Sequence, residues 1–344
     1  MAIESDTTDP PAIDIDRLVE RPLTIEDAGQ IAEINHQMEQ AEPADTHLSE
    51  ADVLEELTGP TVDLTRASSG LFDGDVLVGY SAIAAIADAT AWKAHLDGGV
   101  RTPWTRRGLG GRLLRTAESQ ARAWKEEKFP ELPGELSMWL EQSRVSTAAL
   151  ADAEGFETFR YFFRMQRDLA QPVEKIPPAA GFTIRPYMEA DADPVRLARN
   201  DAFADHWGSL ESSPERWQAH MVGAQAFRPQ QSFVAVVDSG GRAGRIAAFV
   251  MAEEFDAETT ARGYRTGYIA LVGTVREARG NGLASALLAR QLQSMQDDGY
   301  QRAELGVDSD SPTGAGRIYQ RSGFVELERN RVAGMRFGPA TAGG

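Results

Sequence analysis

The stretch Val275–Leu288, VREARGNGLASALL, sets an arginine and two glycines directly ahead of an apolar run with helical spacing. Glycine weakens a helix interior and is useful where backbone must adopt an unusual conformation or approach a ligand closely. A helix N-terminus carries unpaired N–H groups and a partial positive charge. Arg279, Gly280, Asn281 and Gly282 in front of such a helix therefore read as a seat for an anion, most simply a phosphate. Leu283, Leu287, Leu288 and Leu292 continue the apolar face, which predicts a helix over Gly282–Asp297.

The rest of the chain narrows what that anion can belong to. With 344 residues, 42% hydrophobic and 25% charged, the composition is that of a soluble protein of two domains. A net charge of −17 argues against nucleic acid as a partner, since a phosphate backbone needs a basic surface. No apolar run reaches membrane-spanning length, so no membrane partner is expected. The start, MAIESDTTDPPAIDID, has neither the basic nor the apolar region of a targeting peptide, and a cytoplasmic location is expected. The absence of cysteine excludes disulfides, thiolate metal sites and a cysteine nucleophile. Five histidines, none at i, i+4, make no metal site expected.

The chain reads twice. ERPLTIEDAGQIAEIN (Glu20–Asn35) is echoed by IRPYMEADADPVRLARN (Ile184–Asn200). RRGLGGRLLRTAESQARAW (Arg106–Trp124) is echoed by RGNGLASALLARQLQSM (Arg279–Met295), and EGFETFRYFFRMQRDL by SGFVELERNRVAGMRF. Three landmarks in the same order at nearly the same spacing indicate two copies of one fold in tandem. The expected organisation is a flexible tail over 1–16, a first domain over 17–169, a proline-rich linker over 170–181, a second domain over 182–338 and a short flexible tail over 339–344.

Within the second copy, strands are expected at Phe182–Met188, SFVAVVD, RIAAFVMAEEF, TGYIALVGTV, RAELGVD and the closing FVELERNRVAGMRF. Helices are expected at Asp193–Ala204, after Ser213-Pro214, at Gly282–Asp297, and after Ser311-Pro312 with Gly323 as the stop. The fold class is α+β: two tandem domains, each a mixed, mostly antiparallel central sheet flanked by helices.

These residues resemble the GCN5-related N-acetyltransferase (GNAT) superfamily. The resemblance rests on a strand followed by Arg279-Gly280-Asn281-Gly282-Leu283-Ala284, then a helix, and later Tyr319 ahead of Gly323-Phe324; the tandem layout resembles the mycothiol synthase branch. It implies acetyl-CoA as co-substrate and a small-molecule amine as acceptor, in a monomer or homodimer. Pyrophosphate would accept N–H groups from Arg279 to Ser285, including Gly280, Asn281, Gly282, Leu283 and Ala284. Pantetheine would pair like an added strand with Val272, Gly273 and Thr274, with a backbone N–H such as that of Val272 polarising the thioester carbonyl. Tyr319 would protonate the departing thiolate, and Ser311 would cap the helix that carries it.

The general base is less defined. Relatives of the mycothiol synthase type carry an acid on the strand entering the glycine turn, and RTGYIALVGTV has none. Glu253 and Glu254 are the nearest replacements, with His206 a further candidate. In the first copy the turn reads Thr105-Arg106-Arg107-Gly108-Leu109-Gly110, a possible second cofactor site through Arg106, Arg107, Gly108 and Gly110. There Ala151 stands where the second copy has Tyr319, so this copy is expected to be catalytically degenerate; Glu141 is an acid that could still face a cleft. The leading expectation is an acetyltransferase working through the second copy. The alternatives are acetylation of an amino-sugar thiol precursor, as in mycothiol synthase, and a non-catalytic acyl-CoA-binding protein.

Overall fold

The computed structural model describes residues 14–42, 47–310 and 314–339. The first half contains β1 (Val19–Arg21), α1 (Ala28–Ala41), α2 (Glu50–Leu57), α3 (Leu64–Ala67), β2 (Ser68–Asp73), β3 (Val76–Ala87), β4 (Trp92–Val100), α4 (Leu109–Lys128), β5 (Gly134–Leu140), α5 (Val145–Ala153) and β6 (Glu157–Asp168). The second contains β7 (Phe182–Pro186), α6 (Ala192–Phe203), α7 (Pro214–Trp217), β8 (Phe233–Val237), β9 (Ile246–Glu253), α8 (Asp256–Arg262), β10 (Thr266–Thr274), α9 (Leu283–Asp297), β11 (Arg302–Asp308), α10 (Ala315–Arg321) and β12 (Val325–Phe337). Ile15–Arg17 form a 3₁₀ turn inside the stretch expected as a tail.

The duplication is visible in atomic detail. Arg21 makes a two-pronged hydrogen bond to Asp27 at 2.8 and 2.9 Å and also donates to the Pro22 carbonyl. Arg185 does the same to Asp191, at 2.6 and 2.7 Å, and to the Pro186 carbonyl. In both halves the aspartate also accepts the backbone N–H three residues before it, Thr24 or Met188, which fixes the strand-to-helix turn.

All strands join one 12-stranded sheet in the order β1-β2-β3-β4-β5-β12-β6-β11-β10-β9-β8-β7. The halves exchange their closing strands: β12 pairs with β5 from Phe337↔Gly134 to Arg331↔Leu140, and β6 pairs with β11 from Asp168↔Arg302 to Phe162↔Asp308. β6 and β12 then pair with each other along the seam. Each half's sheet is thus completed by the other half, an arrangement that two sequential domains on either side of a linker do not convey.

Helix α9 buries Leu283, Leu287, Leu288 and Leu292 against one face of the second half's sheet, where Val250, Ile269, Ala303 and Leu305 meet it. α6 and α7 cover part of the opposite face over Val234, Phe249 and Met251. The Ser213 hydroxyl caps α7 through the Arg216 N–H, with Pro214 in the first turn. α8 was not expected from sequence; it lacks a side-chain N-cap and stops at Gly263, φ +74°. α10 starts at Ala315 behind Gly314, φ +66°; Ser311, expected as its cap, lies outside the described residues.

Candidate active site

The glycine turn between β10 and α9 is built on backbone conformation. Gly280 and Gly282 have φ of +83° and +68°, and no atom lies within 4 Å of where a Cβ would stand at either. They serve the left-handed turn, with open space in front of them. Gly282, Leu283, Ala284 and Ser285 follow this turn at the head of a 15-residue helix, whose first N–H groups have no intrahelical acceptor. Arg279 Nη2 donates to the Ala202 carbonyl at 3.0 Å, placing its guanidinium between the end of α6 and the start of α9. The Asn281 side-chain amide donates to the Ala278 carbonyl at 3.0 Å, which braces the turn.

β10 and β11 run parallel and pair over three residues only, Thr266–Tyr268 with Arg302–Glu304, and then part. β10 continues to Thr274, so Val272, Gly273 and Thr274 have an edge that β11 does not occupy, while β9 pairs with their other edge. A bulge at Ala270 interrupts the β9 ladder between Ile269 and Leu271. Gly273 is small for a reason other than cofactor approach: the Phe249 ring fills the place of a Cβ.

Tyr319, on α10, belongs to the core cluster that also holds Ile269 of β10 and Leu305 of β11. Its side chain is buried, its ring meets Phe324 edge-on at 6.1 Å, and burial, helped by the Tyr268 phenol, pushes its hydroxyl up to about 12. It is a proton donor throughout the physiological range. Tyr268 lies across β11, its hydroxyl 3.3 Å from the position of a Gly306 Cβ. Burial and the carboxyls of Glu253 and Glu304 raise it to about 12 as well.

Four strands place a row of polar residues in register on this face: Glu253 of β9 opposite Tyr268 of β10, Tyr268 opposite Glu304 of β11, and Glu304 opposite Gln166 of β6. Glu304 accepts from Arg164 and Arg262 at 3.0 Å each and from Gln166 at 2.7 Å, which holds it ionised despite burial. Glu253 has the opposite character. Burial, with the Glu55 carboxylate of α2 nearby, lifts it to about 7. Glu254 is removed from consideration as a base. It accepts from Arg265 (2.8 and 3.0 Å), Arg228 (3.1 Å) and the Tyr300 hydroxyl (2.7 Å), and these bonds overcome its burial and hold it at about 2. His206 stands at the end of α6 against Phe203, with burial and the guanidiniums of Arg279, Arg160 and Arg199 lowering its basicity against the pull of Asp308.

Beyond Tyr268, away from α9 and α10, lies a cavity of about 260 Å³. Its walls come from both halves: Leu48, Trp139 and Glu141 from the first, Phe255, Glu258 and Tyr268 from the second. The exchanged strands β6 and β12 add Phe163, Arg164 and Asn330. Sequence reading singled out Glu141 only as an acid that could face a cleft, and missed Tyr268, Glu258 and Trp139. The cavity depends on α8 and on strand exchange, neither of which leaves a motif.

The first half repeats the frame with different residues in it. β4 and β5 pair over four residues, Trp92–His95 with Gly134–Ser137, before parting, but the β3–β4 ladder has no bulge. Gly108 has φ +80°, and Arg106, at φ +60°, is the one non-glycine residue with positive φ among the described residues. It occupies the place of Gly280. At Gly110 the Leu150 Cδ2 of α5 lies 2.7 Å from where a Cβ would be, so α5 packs closely on this turn. Arg115 of α4 is tied to Glu154 at 2.5 Å, which clamps the end of α5 to the helix. Ala151, in place of Tyr319, is fully buried core.

The Acetyltransferase (GNAT) family model matches residues 198–324, which span α6 through Phe324 and contain the turn, the opening and Tyr319. The chain is 31% identical over 271 residues to a mycothiol acetyltransferase of Frankia alni, covering 74% of this chain and 73% of that one. It belongs to the GNAT family of acetyltransferases. A mycothiol acetyltransferase of Salinispora arenicola is 28% identical over 311 residues, 88% of this chain and 91% of its own. The fold of this acetyltransferase is also that of a tandem GNAT protein from the clavulanic acid biosynthesis pathway, with a TM-score of 0.68 at 19% identity over 94% of this chain and all of the other. No helix among the described residues is long and apolar enough to cross a membrane.

Proposed function

We propose that the second half of this acetyltransferase, 182–338, moves the acetyl group of acetyl-CoA to a primary amine of a small molecule by direct attack. Three features support the reading: the open glycine turn, the edge of β10 left bare where β11 departs, and Tyr319, buried on α10 with its hydroxyl under the electrostatic influence of Tyr268 on β10. The residues fit the co-substrate. The N–H groups from Gly280 to Ser285 and the Arg279 guanidinium suit a pyrophosphate, and the free edge at Val272, Gly273 and Thr274 suits the amides of pantetheine. When bound, acetyl-CoA supplies a thioester carbonyl as the electrophile.

The chain's own groups handle the protons. Glu253, at about 7, accepts a proton from the acceptor ammonium directly or through water. A backbone N–H of β10 near the Ala270 bulge holds the oxygen that gains charge. Tyr319 gives its proton to the sulfur as it leaves. The first half, with α5 clamped on its turn and Ala151 in place of the tyrosine, holds no working site and serves to wall the acceptor cavity. The test is release of free thiol from acetyl-CoA with a panel of primary amines, paired with Arg279→Glu. Turnover with some amine, lost with co-substrate binding in Arg279→Glu, is expected; tight binding with no thiol release from any amine overturns the reading.

A second acceptor reading follows from the relatives, which are named as mycothiol acetyltransferases and match over most of their length. In that reading the amine belongs to an amino-sugar thiol precursor. Including such a compound in the panel separates the two by kcat/KM.

A further inference from the structure

The cavity beyond Tyr268 is walled by both halves of the chain and has Tyr268, the in-register neighbour of Glu253, in its lining. We propose that it receives a second, positively charged end of the acceptor, making diamines and longer polyamines the preferred substrates over monoamines and over amines that bear a carboxylate. This rests on the direct-attack reading above.

Three features of the walls support it. Trp139, Phe163, Phe255 and Tyr268 present aromatic surface, which suits an alkyl chain and attracts a cation to the ring faces. Phe255 and Tyr268 meet edge-on at 6.5 Å, forming a continuous aromatic corner. The two guanidiniums of the lining are engaged: Arg164 bonds Glu304 and reaches Glu328 at 3.5 Å, and Arg262 bonds Glu304 at 3.0 Å. A ligand carboxylate entering here would meet Glu304 and Glu258 with the lining's guanidiniums already committed. Glu258 lies 3.4 Å from Arg262, which it shares with Glu304; burial raises its affinity for a proton, with the Glu304 carboxylate adding to this and Arg262, Arg164 and His47 opposing it. A bound ammonium would favour the ionised form of this carboxyl further. The acidic chain as a whole favours the approach of a polycation.

The experiment compares kcat/KM of the full chain for 1,4-diaminobutane, spermidine, n-butylamine and 4-aminobutyrate. The diamine and spermidine are expected to exceed n-butylamine by about tenfold or more, and 4-aminobutyrate to be poorest. Glu258→Gln is expected to bring the ratio of diamine to monoamine close to one, chiefly by raising KM for the diamine. Trp139→Leu, at a position 41% exposed and so tolerant of change, is expected to raise the same KM several-fold. Equal kcat/KM for diamine and monoamine, or a preference that survives both substitutions, overturns the proposal while leaving amine acetylation intact. No thiol release with any amine overturns the direct-attack reading itself.

Discussion

Glu253 and Glu254 are consecutive residues whose carboxyls titrate on opposite sides of the ordinary glutamate value, at about 7 and about 2. The difference is one of partners. Glu253 sits half-buried opposite Tyr268, where desolvation and the Glu55 carboxylate disfavour its charge, while Glu254 is wrapped by Arg228, Arg265 and Tyr300. A group poised near 7 can take a proton at neutral pH; one at 2 cannot. The kcat/KM for an amine should therefore rise with pH through about 7 and level off above it. Glu253→Gln should lower the plateau by about 100-fold or more and remove that inflection. An unchanged inflection in the variant would assign it to another group.

Stability should respond to the same two residues with opposite sign. Glu253 binds its proton more tightly folded than unfolded, so its contribution is present below about 4.5 and is lost as pH rises through 7. Glu253→Gln should thus be about 1–2 kcal/mol more stable than the parent at pH 8 and no more stable at pH 4. Glu254 binds its proton less tightly folded, so its contribution is present above about 4.5 and falls away toward pH 2. Glu254→Gln should lose about 2–4 kcal/mol at pH 7, since two arginines lose their anionic partner and one of its two accepting oxygens. Urea unfolding of both variants at pH 4 and pH 8 checks the pair.

Tyr319→Phe keeps the ring against Phe324 and removes only the hydroxyl. If that hydroxyl protonates the leaving thiolate, kcat should fall by about 10- to 100-fold with acetyl-CoA affinity retained. Because the hydroxyl titrates only near 12, the parent enzyme should show no falling limb between pH 8 and 10 from this residue. A kcat in the variant equal to the parent's at every pH would remove Tyr319 from the chemistry.

Arg106 holds the left-handed conformation that Gly280 holds in the second half, without a glycine to make it easy. Arg106→Gly should stabilise the chain by about 1 kcal/mol, with no change in acetyl-CoA affinity, since the first half's turn is not the working one. Equilibrium dialysis should give one acetyl-CoA per chain. A second equivalent, lost in Arg106→Glu, would show that the first half binds as well.

The elements proposed to hold the co-substrate are legible because each is a local pattern. Gly280 and Gly282 mark a positive-φ turn, the leucines of α9 mark its buried face, and Ser213-Pro214 mark the start of α7. The acceptor side was not legible. α8 has no side-chain cap and follows directly on Glu254, so DAETTAR reads as an ordinary polar connection. Glu253 and Glu254 are indistinguishable in sequence, because their partners come from residues as distant as Glu55 and Tyr300. Strand exchange was hidden by the duplication itself: FRYFFRMQ and ERNRVAGM fit either sheet equally well as amphipathic strands, and only three-dimensional packing decides which sheet each one joins.

That exchange fixes the order in which the protein can be completed as it is made. β5 leaves the ribosome well before the strand that lies beside it, Val325–Phe337. The N-terminal portion waits with a bare strand edge until Val325–Phe337 has been made, and a chain cut short before Val325 leaves both portions incomplete.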